Sequence, residues 1–294
     1  MSDNQLVINW YPGHMAKAKR LLQEQIKRID LILEVCDARL PYASRNPDLI
    51  SLAGQKKHIL LINKSDLADQ SVNHEWLRYF RAHGTEAYLI NSKLIRPKEI
   101  TGLIESVAKN TVEKALQKGV RKTVRVMIAG IPNVGKSTLI NHVYGRTITQ
   151  TGDRPGVTKS NQWVKISPYL ELLDTPGLLW PRLNDQTGAR RLCYIGCIKD
   201  DILNLSDLTI HLLEDLCDLI PDKMIERFHI RDTSLKGIDL LDAVCIGRGW
   251  LLKGMQYDYD RCFRIVLDEF RAGKLGRISL ERPAETTDGV KNND

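Results

Sequence analysis

One octapeptide, GIPNVGKS at residues 130–137, constrains the fold of this chain more than any other feature. It matches the pattern G-x-x-x-x-G-K-[ST], in which backbone N–H groups wrap around phosphate groups. The apolar run VRVMIAG leads into it and a helical pattern follows, which is the context that the motif requires. A glycine-rich turn without a ligand is the alternative, and this strand–loop–helix context argues against it. The octapeptide therefore predicts a nucleotide-binding P-loop.

Individual side chains of the octapeptide have predicted roles. Lys136 is expected to reach the β- and γ-phosphates of a nucleotide, and Ser137 is expected to ligate Mg²⁺. The other nucleotide contacts predicted in this stretch are Asn133, Val134, Gly135 and Thr138.

Patterns typical of buried strands alternate with helical patterns over the first two thirds of the chain. The strand patterns are LILEVCD, HILLIN, EAYLINS and VRVMIAG, followed by two more near 162–166 and 170–174. This alternation predicts an α/β fold with a mostly parallel sheet covered by helices on both faces. Later residues show helical spacing only. We predict a nucleotide-binding domain at 1–185, a small all-helical C-terminal domain at 186–282 and a flexible tail at 283–294.

A second acidic motif, DTPG, closes the apolar run LELLD. Asp174 is expected to hold Mg²⁺ through a water molecule, and the Gly177 backbone N–H to contact the γ-phosphate. Alone, D-x-x-G is equally consistent with an ordinary strand-to-turn exit, but a preceding P-loop favours the nucleotide role. The polar stretch TITQTGDRPGVTKS lies between the two motifs. Its PGVTK context favours Thr158, over three other threonines nearby, as a further Mg²⁺ ligand.

The tetrapeptide NKSD at residues 63–66 predicts which base is bound. Asp66 can accept hydrogen bonds from N1–H and the N2 amino group of guanine, a pair of donors that adenine lacks. Lys64 can lay its aliphatic stem over the purine ring, and Asn63 can brace the loop against the P-loop. Ser65 completes the predicted contacts. N-K-x-D alone is as consistent with a helix N-cap, but here it ends the apolar run HILLIN.

A further strand pattern ends at INSK, which resembles the short S-A-K loop whose backbone reads guanine O6. Asn91 and Ser92 are therefore predicted nucleotide contacts, although the alanine is missing because Ser92 is followed directly by Lys93.

The order of these motifs is unusual, because the base-reading loops precede the P-loop. In an open α/β sheet, ligands bind at the carboxyl ends of the strands, whatever order the chain visits them. If the termini of a domain with the usual motif order are joined and the chain is opened elsewhere, such a site is preserved as long as the strands keep their neighbours. The observed order is a cyclic shift of the usual one. It predicts a circularly permuted P-loop GTPase.

At this level of detail the sequence resembles the circularly permuted GTPases of the YlqF/RbgA type, which assist late assembly of the large ribosomal subunit. The resemblance spans almost the whole chain, through NWYPGHMAKAKR, DARLPYASRNP, NKSDL, GIPNVGKST, RPGVTK, DTPG and FRAGKLGRISLE. It implies Mg²⁺-dependent hydrolysis of GTP to GDP and phosphate. It also implies the large subunit and its rRNA as partners, with hydrolysis coupled to release from the pre-ribosome.

Two residues are assigned by resemblance alone. Ras-like GTPases orient the attacking water with a glutamine after the D-x-x-G glycine, and Leu178 occupies that position here. The resemblance nominates His14, in PGHMAK, to act at the γ-phosphate instead; capping the first helix or meeting the partner are the alternatives. Asn133 resembles the asparagine with which potassium-activated GTPases hold K⁺, although asparagine also suits any turn.

The formal charge of +7 and the pI of about 9.0 favour a polyanionic partner such as nucleic acid. We expect a basic RNA-facing surface on the first helix and on the C-terminal domain. Its candidates in that domain are Arg261, Arg264, Arg271, Lys274 and Arg277. We expect no DNA partner.

Several features favour a cytoplasmic protein without a membrane partner. No apolar run approaches the ~18–20 residues that span a bilayer, and the start resembles no signal or transit peptide. The six scattered cysteines fit reduced thiols. Two other functions stay open: a GTP-dependent RNA-binding regulator without an assembly role, and, disfavoured by NKSD and DTPG, an ATP-dependent small-molecule kinase. A mitochondrial relative is also compatible with the sequence.

Overall fold

A computed structural model describes residues 20, 22–145, 162–175 and 186–283 of the chain. The chain divides into two compact units. We call the one built around a β-sheet the sheet unit, and the one containing residues 186–278 the helical unit. The described part of the sheet unit comprises the residues up to 175 together with 279–283.

Six strands of the described residues form one sheet in the sheet unit. They are β1 Leu31–Asp37, β2 Lys57–Asn63, β3 Glu86–Leu89, β4 Val124–Ala129, β5 Gln162–Ser167 and β6 Leu170–Asp174. Their order in the sheet is β3-β2-β1-β4-β6-β5. Every neighbouring pair is parallel except the pair of β5 and β6. The prediction of a mostly parallel sheet is confirmed.

Helices cover both faces of this sheet. They are α1 Pro47–Ala53, α2 Gln70–Ala82, α3 Pro97–Leu116 and α4 Lys136–Tyr144, and residues 22–26 are also helical. On one face, Ile32 and Cys36 of β1 belong to buried clusters formed with residues 22–26, α1 and α2. Side chains alternate along a strand, so Leu33 faces the opposite side, where α3 and α4 supply buried apolar residues.

The strands that precede the predicted motifs all end at one edge of the sheet. Asp37 at the end of β1 pairs in register with Asn63 at the end of β2. Ile128 of β4, just before the P-loop, pairs in register with Asp174 at the end of β6. The motifs therefore converge although the chain visits them in permuted order.

The last described residues return to the sheet unit. The Leu280 N–H donates to the Arg39 carbonyl at 2.9 Å, and the Glu281 carboxylate accepts the Tyr42 N–H at 2.6 Å. The Trp76 indole N–H donates to the Glu281 carbonyl at 3.2 Å. These bonds explain why the helical unit ends at 278, before the predicted domain boundary at 282.

The described residues of the helical unit form short packed helices. They are α5 Gln186–Tyr194, a 3₁₀ turn at Asp200–Ile202, α6 Leu205–Leu219, α7 Pro221–Phe228, α8 Gly237–Arg248 and α9 Tyr259–Arg271. Leu208, Leu212 and Leu216 form a buried stripe on α6, as their spacing of four residues predicts. The predicted all-helical C-terminal region is confirmed.

Arg271 has a structural role in this unit. Its guanidinium binds the Asp200 carboxylate at 2.7 and 2.8 Å and also donates to the carbonyls of Cys193 and Tyr194. The expectation that Arg271 faces RNA is therefore wrong, because its donors are used inside the unit. The other four basic candidates are exposed: Arg261, Arg264, Lys274 and Arg277.

Two further expectations concern the cysteines and membrane-spanning helices. Each of the six cysteines is described and buried, and none of them forms a disulfide. Among the described residues, no helix combines the length and the apolar character needed to cross a bilayer.

Candidate nucleotide-binding site

The P-loop begins where β4 leaves the sheet. Gly130 has a φ of +150°, and a Cβ there would overlap the backbone carbonyl oxygen of Val35 on the adjacent strand. Only glycine allows the chain to turn this close to β1. The first glycine of the motif is therefore explained by contact with the neighbouring strand.

The second glycine of the motif, Gly135, lies against the base-reading loop. Its φ is +99°, and a Cβ would overlap Asn63 Nδ2. Helix α4 starts at the next residue, so its first N–H groups and its positive dipole end lie at the loop. Lys136 is buried, and its Nζ donates to the Ile131 carbonyl at 2.8 Å. Backbone dipole and side-chain charge thus both favour an anion here.

The two predicted Mg²⁺ residues with described positions lie together. The Ser137 hydroxyl donates to Asp174 Oδ2 at 3.3 Å. A hydroxyl and a carboxylate supply the hard oxygen ligands that Mg²⁺ prefers, so this pair fits the cation. Thr175, which the sequence reasoning missed, donates to the Ile128 carbonyl at 2.8 Å and so fixes the start of DTPG to β4.

Asn63 joins three motifs through one buried side chain. Its Nδ2 lies 2.7 Å from the Val134 carbonyl of the P-loop and 3.2 Å from the Ser92 hydroxyl. Its Oδ1 accepts the Ser92 N–H at 2.8 Å. The expected brace between the base-reading loop and the P-loop is confirmed, and the INSK turn is part of the same network.

Lys64 follows with a left-handed backbone conformation, at a φ of +58°. Its Nζ donates to the Asn133 carbonyl at 2.7 Å and lies 3.1 Å from Asp37 Oδ2. The lysine therefore reaches across from the end of β2 to the P-loop.

The rest of the base-reading loop is a turn beside β3. The Ser65 N–H and hydroxyl both donate to the Ile90 carbonyl, at 3.2 and 3.0 Å. Asp66 is exposed at this turn. The N-cap of α2 is Asp69, whose carboxylate accepts the N–H groups of Ser71 and Val72 in the first turn of the helix. The alternative in which NKSD itself caps a helix is therefore excluded.

Asp37 is a residue of this site that the sequence reasoning did not single out. Its buried carboxylate binds Arg39 Nε and Nη2 at 2.9 and 2.8 Å and lies beside Lys64. Burial alone would raise its pKa, but the charges of Arg39 and Lys64 hold the pKa of Asp37 well below its usual range. The signal was present in the sequence, because Asp37 ends an apolar strand as Asn63 and Asp174 do.

Four residues with predicted roles or significance lie outside the described residues. They are His14, Thr158, Gly177 and Leu178.

Comparisons with known proteins agree with this geometry. A family model described as "50S ribosome-binding GTPase" matches residues 125–239. Ribosome biogenesis GTPase A of Bacillus cereus is 42% identical over 288 residues, which cover 97% of each chain. The protein of the same name from Thermotoga maritima is 30% identical over 95% of this chain and 96% of its own. The crystal structure of GNP-bound YlqF from T. maritima superposes with a TM-score of 0.65 at 25% identity, covering 91% of this chain and 98% of that one.

Fold and motifs together define a GTPase whose P-loop domain is circularly permuted. In such a domain each strand keeps its spatial neighbours in the sheet, but the base-reading loops come before the P-loop in the chain. The chain belongs to the ribosome biogenesis GTPase A (YlqF/RbgA) family.

Proposed function

We propose that this protein hydrolyses GTP as an assembly factor for the large ribosomal subunit and that hydrolysis releases it from the pre-ribosome. The observation that supports a working guanine-nucleotide site most directly is the Asn63 network, which holds both base-reading loops against the P-loop. The relatives named ribosome biogenesis GTPase A support the assembly role. The first test is steady-state GTP turnover with and without purified large subunits. Stimulation is expected, and its absence would favour a GTP-dependent regulator of another RNA.

The phosphates are proposed to bind at the P-loop and the first turn of α4. Lys136 would neutralise charge on the β- and γ-phosphates, and Thr138 would contact the triphosphate on its α-phosphate side. Backbone N–H groups of the loop would supply the remaining donors. They belong to Asn133, Val134 and Gly135.

The guanine base is proposed to lie between the two loops that Asn63 joins. Asp66 would accept from N1–H and the N2 amino group, and Lys64 would lie along the ring. The turn formed by Asn91 and Ser92 would face O6. Ser65 fixes the spacing of the two loops through its bonds to the Ile90 carbonyl.

Mg²⁺ is proposed to be held directly by Ser137 and through water by Asp174. Thr158 would be the second direct protein ligand, and the Gly177 N–H would contact the γ-phosphate. Bound Mg²⁺ would supply positive charge that offsets the charge of the phosphates. The Ser137–Asp174 contact keeps both oxygens at one position next to the P-loop.

Water activation is proposed for His14, because the apolar Leu178 cannot orient water. A neutral imidazole can accept a proton or align a water molecule through its nitrogen. His14→Ala should lower subunit-stimulated turnover by roughly 10²-fold, a range typical of lost general-base catalysis, with an unchanged Kd for GTP. The matched control is His74→Ala, which removes an exposed histidine of α2. Unchanged stimulated turnover in His14→Ala would remove this assignment.

A potassium ion is proposed to bind at Asn133. Its φ of +63° is a conformation that asparagine tolerates better than most residues, so the turn alone also suits this side chain. Stimulated turnover should be faster in K⁺ than in Na⁺ at equal ionic strength. Equal rates would exclude a role for K⁺.

Contact with rRNA is proposed for the exposed basic residues of the helical unit. Arg261, Arg264, Lys274 and Arg277 are exposed there. Phosphate contacts predict binding that weakens steeply with salt. The helical unit follows DTPG in the chain, so nucleotide state can act on it through the segment after Gly177. A cytoplasmic location, without membrane or DNA as partner, fits these proposals.

A further inference from the structure

Asp37 lies at the edge that carries the nucleotide motifs, but the proposed function gives it no role. It ends β1, between Asn63 on β2 and the P-loop strand β4. Its side chain is fully buried, with Oδ2 3.1 Å from Lys64 Nζ. The same ammonium donates to the Asn133 carbonyl. The carboxylate therefore holds one end of the lysine that is proposed to lie along the purine.

The charges around Asp37 keep this contact in place. Arg39 is as buried as Asp37 and binds both carboxylate oxygens. Its backbone N–H also donates to Oδ1 at 3.1 Å, so the loop after β1 is closed on the carboxylate. With its pKa held low, Asp37 is ionised at neutral pH. A buried carboxylate is unfavourable without partners, and Lys64 is its second cation.

The backbone of Lys64 gives a separate indication that its position is imposed. A φ of +58° is unfavourable for a residue with a Cβ, and such conformations persist only where surrounding contacts hold them. The Lys64 carbonyl accepts the Leu67 N–H at 2.9 Å, and its Nζ is bound at the other end. Both ends of the residue are thus fixed by contacts within the protein.

We propose that Asp37 is a positioning residue for nucleotide binding, acting through Lys64. A lysine has many rotamers, and a side chain held in its bound position loses less freedom when the ligand arrives. The inference rests on the proposed role of Lys64 at the base. The competing explanation is that Asp37 only closes its own loop through Arg39.

A double-mutant cycle between Asp37→Asn and Lys64→Ala separates the two explanations. Titration with fluorescent GDP and GTP analogues gives the Kd of each variant. Asp37→Asn alone should weaken both nucleotides about 10-fold, the size of one lost charge-assisted contact. In the Lys64→Ala background, adding Asp37→Asn should raise the Kd by a further factor of less than about two. An equal effect in both backgrounds, or none in either, would overturn the proposal.

Glu34→Gln is the matched control. Glu34 is equally buried on the same strand, but it binds Arg45 at 3.0 Å and His58 at 3.1 Å instead of Lys64. Losing this charge should lower the melting temperature without changing the Kd for GDP. A loss of affinity equal to that of Asp37→Asn would show general damage to β1 and would also overturn the proposal.

Three further outcomes have defined consequences. If Asp37→Asn does not fold, because Arg39 is left as an unpaired buried cation, the cycle is run with Asp37→Asn/Arg39→Gln, which replaces the ion pair by two amides. If Lys64→Ala itself leaves the Kd unchanged, the proposed role of Lys64 fails, and this inference fails with it. If Lys64→Ala weakens binding and Asp37→Asn does not, only the inference about Asp37 fails.

Discussion

Replacing Asp66 by asparagine is expected to change the preferred base from guanine to xanthine. The Asp66 carboxylate only accepts hydrogen bonds, which suits the N1–H and N2 amino groups of guanine. A carboxamide keeps one acceptor for N1–H, but its NH₂ group would face the N2 amino group of guanine. Two hydrogen-bond donors would then oppose each other. Xanthine carries an oxygen at that position and can accept from it. We expect GDP affinity to fall by roughly 10²–10⁴-fold and XDP affinity to rise.

Competition of GDP and XDP against one fluorescent nucleotide measures this change. The matched control is Asp69→Asn, three residues along the same loop, where the carboxylate caps α2. Asparagine is itself a good N-cap, so this variant should keep both its stability and its preference for guanine. A preference for GDP retained in Asp66→Asn would show that another residue reads the base.

Gly135→Ala should remove nucleotide binding almost completely. The added methyl would occupy the position of Asn63 Nδ2, and the residue would also have to keep a φ of +99°. Relief requires Asn63 to move, which breaks its bonds to Val134 and Ser92 and separates the base-reading loops from the P-loop. We expect a loss of GDP affinity of more than roughly 100-fold, since several contacts that form the site are lost together. Isothermal titration calorimetry with GDP measures this loss of affinity.

Gly145→Ala is a control at the other end of the same helix. Gly145 ends α4 with a φ of +80°, but a Cβ there has nothing within 4 Å. It therefore isolates the backbone cost, about 1 kcal/mol of folding stability, from the steric overlap. The expected result is a lower melting temperature with unchanged GDP affinity. Equal losses of affinity in both variants would contradict the assigned role of the Gly135–Asn63 contact.

Local patterns were sufficient for the sheet and for the convergence of the predicted motifs at one of its edges. Runs such as HILLIN are apolar because both faces of a parallel strand are buried, so the run and the polar residue that ends it identify a strand and its functional end. The cyclic order of five motifs then constrained the strand neighbours. The bracing role of Asn63 followed from the same reasoning, and its bond to Val134 confirms it.

Contacts between residues distant in sequence were not predictable in this way. Glu281 binds the Tyr42 N–H across 239 residues, and nothing in either local pattern indicates the other. Arg271 was expected on the surface because it is one of several basic residues proposed to face RNA. Its partner Asp200 lies 71 residues earlier in the chain, and the ion pair between them holds the Arg271 guanidinium within the helical unit. Charged residues with distant partners are thus the ones that sequence reasoning misplaces.

The permuted order also determines how the helical unit is attached. It follows DTPG in the chain, and the segment after it returns to the sheet unit, where Leu280 and Glu281 bind. If Gly177 contacts the γ-phosphate as proposed, the segment after DTPG would link nucleotide state to the proposed RNA-binding unit. This attachment would be the physical basis for the proposed coupling of hydrolysis to release.

Sedimentation with purified large subunits tests that coupling most directly. The protein is mixed with subunits in a non-hydrolysable GTP analogue, in GDP and without nucleotide, at two salt concentrations. We predict that it co-sediments with the analogue, that binding weakens in higher salt, and that it stays in the supernatant with GDP. Equal co-sedimentation in the analogue and in GDP would contradict the account.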